Sequence, residues 1–98
     1  MFVNIIQTYR DVVAICDKEL IGKKFEEDDF QLDVKENFFK GEEKSSEEVS
    51  KIIQDFSKED ATFNIVGEKA VALAIKNNLV AENAVKKISG IPFTLKLI

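Results

Sequence analysis

The chain has 98 residues, 45% of them hydrophobic and 33% charged, which suits a single domain with one core. With a formal charge of −4, one cysteine and no histidine, it excludes an intramolecular disulfide, histidine-activated nucleophiles and zinc sites built from cysteine or histidine. No apolar stretch reaches the roughly 18 residues of a membrane span, and the first residues lack the basic start and apolar core of a signal peptide, so a reducing cytoplasmic setting without membrane contact is expected. The charge is unevenly spread: residues 26–63 hold 13 acids against five lysines, whereas residues 64–98 hold five lysines against Glu68 and Glu82. An acidic middle and mildly basic ends follow, and solvation alone accounts for most such runs.

Phe2 to Tyr9 and Val12 to Cys16 are β-branched and aromatic runs separated by Arg10-Asp11, the pattern of a β-hairpin. Both faces of the second run are apolar, which places the pair in the interior of a sheet. Gly22 marks a reversal. Glu26-Glu27-Asp28-Asp29 reads as an exposed loop because four adjacent acids repel one another, and Phe30, Leu32 and Val34 alternate with polar residues as a strand over about 30–35. Phe38 and Phe39 beside Gly41 read as a turn with one or both rings folded onto the core.

Ser45-Ser46-Glu47-Glu48 contains a capping box, with Ser45 as N-cap and Glu48 reaching back. Val49, Ile52, Ile53 and Phe56 then form one apolar stripe, so a helix is expected at about 45–58. The densest apolar run, Asn64 to Ile75, reads as a second, buried helix over about 64–78, capped by Asn64 and ended near Asn77-Asn78. Ala84 to Ile88 and Pro92 to Ile98 read as two strands joined through Ser89-Gly90-Ile91. The expected class is α+β: one domain over 1–98, a mostly antiparallel sheet and two principal helices.

Motifs for catalysis and metal binding fail on their spacing. Gly22-Lys23 would need a glycine where Asp17 stands and a hydroxyl where Lys24 stands to be a phosphate loop. The acidic run lacks EF-hand spacing, so neither cofactor nor metal is expected. Cys16 sits next to a carboxylate in a buried strand, which disfavours its thiolate.

Cys16-Asp17-Lys18-Glu19-Leu20-Ile21-Gly22-Lys23-Lys24-Phe25, Leu32-Asp33-Val34, Ala61 to Ala70 and Ser89-Gly90-Ile91-Pro92 together resemble a family of small archaeal proteins, domain-of-unknown-function family 424. The resemblance spans nearly the whole chain and implies a free-standing cytoplasmic domain with no established activity. The family pattern continues past the Gly-x-Pro with histidine and small polar residues. Phe93-Thr94-Leu95-Lys96 stands here instead, which argues against a role for a histidine at that end.

The leading expectation is a non-enzymatic accessory protein that acts by binding, with RNA or a ribonucleoprotein as partner. Its candidate ligand-binding residues are Asn64, Gly67, Glu68 and Lys69, where a helix terminus and a lysine could meet an anion, together with Lys23 and Lys24 at the Gly22 turn. The alternative is a protein-binding module that uses the apolar strand Phe93 to Ile98 to pair with a second copy or another chain. An enzyme built on carboxylates alone, drawn from Asp17, Glu19, Asp33 or Glu68, is the least favoured.

Overall fold

The computed structural model describes residues 1–97. Its strands are β1 (Phe2–Ile6), β2 (Val12–Cys16), β3 (Lys24–Glu27), β4 (Phe30–Asp33), β5 (Glu42–Glu43), β6 (Thr62–Val66), β7 (Lys86–Ile88) and β8 (Ile91–Lys96). The helices are α1 (Glu36–Phe39), α2 (Ser46–Phe56) and α3 (Glu68–Lys76). Six strands form one sheet in the order β5-β1-β2-β6-β8-β7, while β3 and β4 pair separately. All ladders are antiparallel except β2 with β6. The class is α+β, with a mostly antiparallel sheet and two principal helices.

The parallel pair requires a crossover, and residues between β2 and β6 supply it, ending in α2. The sheet is therefore covered on both faces. On the first face Val13, Ile15, Phe63 and Ile65 pack against Val49 and Ile53 of α2 and Ala70, Val71 and Ala74 of α3. Fully burying a valine, isoleucine or phenylalanine side chain contributes about 1.5–3 kcal/mol. On the second face Ala14, Cys16 and Val66 meet Leu20, Val34 and Phe39, with Phe25 and Leu32 of the small sheet alongside.

The run Asn64 to Ile75 is two elements, which corrects the expected helix over 64–78. Its first part is strand β6, Gly67 turns the corner, and α3 begins at Glu68. Short apolar runs cannot be divided between strand and helix by periodicity alone; here the β-branched Thr62, Ile65 and Val66 with Phe63 belong to the sheet. Asn64 consequently caps nothing. It lies in mid-strand opposite Ala14 on one side and Leu95 on the other. Nor is α3 covered all round: Glu68, Ala72 and Lys76 line an exposed stripe, where Ala72 is small enough to cost little in water.

Three smaller corrections concern β3, the Phe38-Phe39 turn and the last strand. Glu26 and Glu27 are not loop but strand β3, because Phe25 packs on the second face and pulls its neighbours into register with β4; only Asp28 and Asp29 form the turn. Phe38 and Phe39 close the short helix α1, where Phe39 is buried. The last strand ends at Lys96, and Ile98 of the expected strand lies outside the described residues.

Helix α2 starts as its sequence requires. The Glu48 N–H donates to the Ser45 hydroxyl at 3.2 Å, and the Ser45 N–H donates to Glu48 Oε1 at 3.0 Å. The Ser45 backbone and hydroxyl hold the Glu48 carboxyl below its ordinary value. A carboxylate lowered on folding favours the folded state above its unfolded value, and that contribution fades as pH falls through the lowered value. In urea titrations across pH 6 to 3, Glu48→Gln is therefore expected to flatten the acid limb of the stability curve while leaving its shape at neutral pH unchanged.

Candidate functional site

Because β2 and β6 run parallel with Cys16 beside Val66, the residues that follow them leave the sheet at the same end. These are Asp17 and Gly67. Asp17 is 3% exposed, and its carboxylate accepts the Lys69 N–H at 3.0 Å and the Ala70 N–H at 2.8 Å. Its own N–H donates to the Val66 carbonyl at 3.1 Å, and the Gly67 N–H donates to the Pro92 carbonyl at 2.9 Å. A side chain distant in sequence thus caps α3 and places negative charge at the positive end of the helix.

Gly67 makes that approach possible. At φ 110° and ψ 156° its backbone lies in a region that is essentially glycine's alone, and a Cβ there would stand 2.7 Å from the Asp17 Cβ. The carboxyl ends of neighbouring parallel strands are where open α/β sheets hold ligands, and a helix N-terminus attracts anions. Here the chain's own carboxylate occupies that position.

The other candidate residues spread outward from this corner. Glu68 and Lys69 are exposed in the first turn of α3, over the first face of the sheet. Lys23 and Lys24 are exposed at the start of β3, whose Phe25 packs on the second face. Asn64 is half-buried on the second face, two residues inside the strand from Val66. The fold therefore brings Gly67, Glu68 and Lys69 together with Asp17, but sets Lys23 and Lys24 on the opposite side of the sheet and Asn64 further along it.

Cys16 is buried beneath the same corner and donates its thiol to the Asp17 carbonyl at 3.1 Å. Burial, with the carboxylates of Asp17 and Glu19 adding to it, pushes the thiol up to about 12. At neutral pH it carries no thiolate and offers no nucleophile. Among the described residues no group of histidines, cysteines and carboxylates gathers as a metal site.

A second feature lies at the other end of the sheet. The second face carries the row Asn4, Ala14, Asn64 and Leu95 across four strands. Phe38, tied down by the Asn4 side-chain amide donating to its carbonyl at 2.7 Å, covers this row only in part. A shallow groove remains between Leu32, Asp33 and Phe38 on one side and Asn64, Phe93 and Leu95 on the other.

The outer edge of β8 is open beside this groove. Strand β7 pairs with β8 only from Ile91 to Phe93, and among the described residues no strand continues that ladder. Pro92 directs its carbonyl toward Gly67, so alternation turns the backbone N–H and C=O of Leu95 away from β6 and into the open. Leu95 is 53% and Leu97 63% exposed. Facing this edge, Asn78, Val80, Ala81 and Ala84 form the far wall of a slot whose near wall is Thr94, Leu95 and Lys96.

Sequence reasoning named Asp17 without its role, and it found the apolar strand without the slot. The available signal for Asp17 was two apolar runs, each ending in a residue unable to extend a core strand, Asp17 in one and Gly67 in the other. The slot had no local signal, because its far wall comes from the segment that follows α3.

The fold and the corner define a small α+β protein whose mixed sheet carries an internally capped helix start and, along β8, an open strand edge. The chain belongs to the family described as proteins of unknown function, DUF424, which it matches over residues 6–96. No curated protein matches it. Among solved structures it is similar to an uncharacterized conserved protein from Methanopyrus kandleri, at 23% identity and a TM-score of 0.78, with 96% of this chain and 87% of that chain covered. No helix is long and apolar enough to cross a membrane.

Proposed function

We propose that the protein acts by binding, without catalysis, and that its partner is a protein segment in extended conformation laid along the outer edge of β8. The open edge from Thr94 to Lys96 carries this reading. Unpaired edges invite strand addition, which draws affinity from main-chain hydrogen bonds and selectivity from alternate side chains. Leu95 and Leu97 supply apolar surface at the same place. The reducing cytoplasm suits the reading, since the one cysteine is free and buried.

RNA as partner has less behind it. Phosphate affinity rises with the number of phosphates neutralised on one surface, and Lys69 stands across the sheet from Lys23 and Lys24. The Lys69 and Ala70 N–H groups, which an anion would need, are spent on Asp17.

Affinity capture with the wild-type chain and with Leu95→Pro tests the reading. Proline at 95 removes an N–H that points away from β6, so the ladder with β6 keeps its bonds. The expected result is a nuclease-resistant protein retained by the wild type and lost by Leu95→Pro. Retention of RNA alone, or protein retention unchanged by the substitution, overturns it.

A further inference from the structure

The slot beside β8 also constrains what its occupant is made of. Alternation along β8 puts Leu95 on the second face and Thr94 and Lys96 on the first, and Leu97 follows just past the end of the strand. Residues directly opposite in a ladder interact as pairs: apolar with apolar, and opposite charges favourably. Of the residues lining the slot, Lys96 alone carries charge. Lys96 is exposed, and among the described residues no ion pair includes it. Glu59 shares an adjoining depression with it without pairing. The slot therefore has an apolar position, Leu95, on one face and one uncompensated positive charge on the other.

Direction follows from the neighbouring ladder. The pairing of β7 with β8 is antiparallel and stops at Lys86 opposite Phe93. A strand that continues this line can exchange two hydrogen bonds with Leu95, whose N–H and C=O both point outward, a pairing that only the antiparallel arrangement offers at a single residue. A second copy of β8 fits the slot poorly, because each copy carries its own wall of residues 78–84 and the two walls would meet.

We propose that the occupant runs antiparallel to β8 and presents an acidic residue opposite Lys96, next to an apolar residue opposite Leu95. This rests on the strand-addition reading above and adds the chemistry of the partner segment, an acidic residue beside an apolar one.

Two labelled peptides, Thr-Thr-Val-Glu-Val-Thr-Thr and its twin with lysine in place of glutamate, test it by fluorescence anisotropy at low salt. Each is titrated against the wild-type chain and against Lys96→Glu, a surface change that leaves the core untouched. The glutamate peptide is expected to bind the wild type about five- to tenfold more tightly than its twin, with shifts at the Leu95 and Leu97 amides in NMR spectra. The preference is expected to reverse in Lys96→Glu. Equal binding of both peptides to the wild type, or an order that survives Lys96→Glu, overturns the acidic assignment and leaves strand addition standing. Binding of neither at about 1 mM overturns both.

Discussion

Gly67→Ala is expected to destabilise the protein by roughly 3–5 kcal/mol. Two terms add. The first is backbone strain: φ 110° with ψ 156° costs a residue with a Cβ about 1–3 kcal/mol. The second is steric, because the new Cβ would meet the Asp17 Cβ at 2.7 Å and Asp17 cannot retreat without releasing the Lys69 and Ala70 N–H groups. In a domain of this size, such a loss lowers Tm by on the order of 15 °C or more. The two terms separate in an Asp17→Gly background, where no side chain opposes the new Cβ. There the added cost of Gly67→Ala should shrink to the backbone term. If urea melts place Gly67→Ala within about 1 kcal/mol of the wild type, the close approach of Asp17 to the helix start is wrong.

What was legible in the sequence, and what was not, divides along the range of the interactions involved. The hairpin of β1 and β2 and the capped start of α2 depend on neighbours within a few residues: β-branched alternation around Arg10-Asp11, and Ser45 with Glu48. Those interactions are written locally, so both elements are read correctly, although β1 ends at Ile6 instead of Tyr9 and the connection to β2 runs over residues 7–11 instead of Arg10-Asp11 alone. The stretch from Asn64 to Ile75 misleads because its local features are ambiguous. Asn64 is a good N-cap type, and Ile65 and Val66 continue an apolar run, but the sheet needs a strand between β2 and β8, and that need is tertiary. Gly67 was visible as a glycine in the first turn of the expected helix. Its required conformation was not, since it is set by Asp17, whose interaction with Ala70 spans 53 positions in the chain. Similarly, the lysines read as one basic set until the sheet separates Lys69 from Lys23 and Lys24.

Asp17→Ala is expected to cost about 2–4 kcal/mol, by a mechanism distinct from that of Gly67→Ala. Removing the carboxylate leaves two N–H groups without acceptors, and they do not suffer equally. Lys69 is exposed, so its N–H can turn to water; Ala70 is buried, so its N–H pays the desolvation penalty in full. The helix start also loses a negative charge, which stabilises a partly buried terminus by up to about 2 kcal/mol. Asp17→Asn separates these contributions. Its amide keeps one acceptor oxygen, enough for Ala70 or Lys69 but not both, and its NH2 group repels the donor left over. A cost between those of wild type and Asp17→Ala is therefore expected. Hydrogen exchange at individual amides checks the mechanism directly: in Asp17→Ala the Ala70 amide should lose protection beyond the global change, while the amides of Ile15 and Ile65 follow global stability. Uniform loss across all three amides would mean that Asp17 supports the sheet as a whole and does not cap α3 in particular.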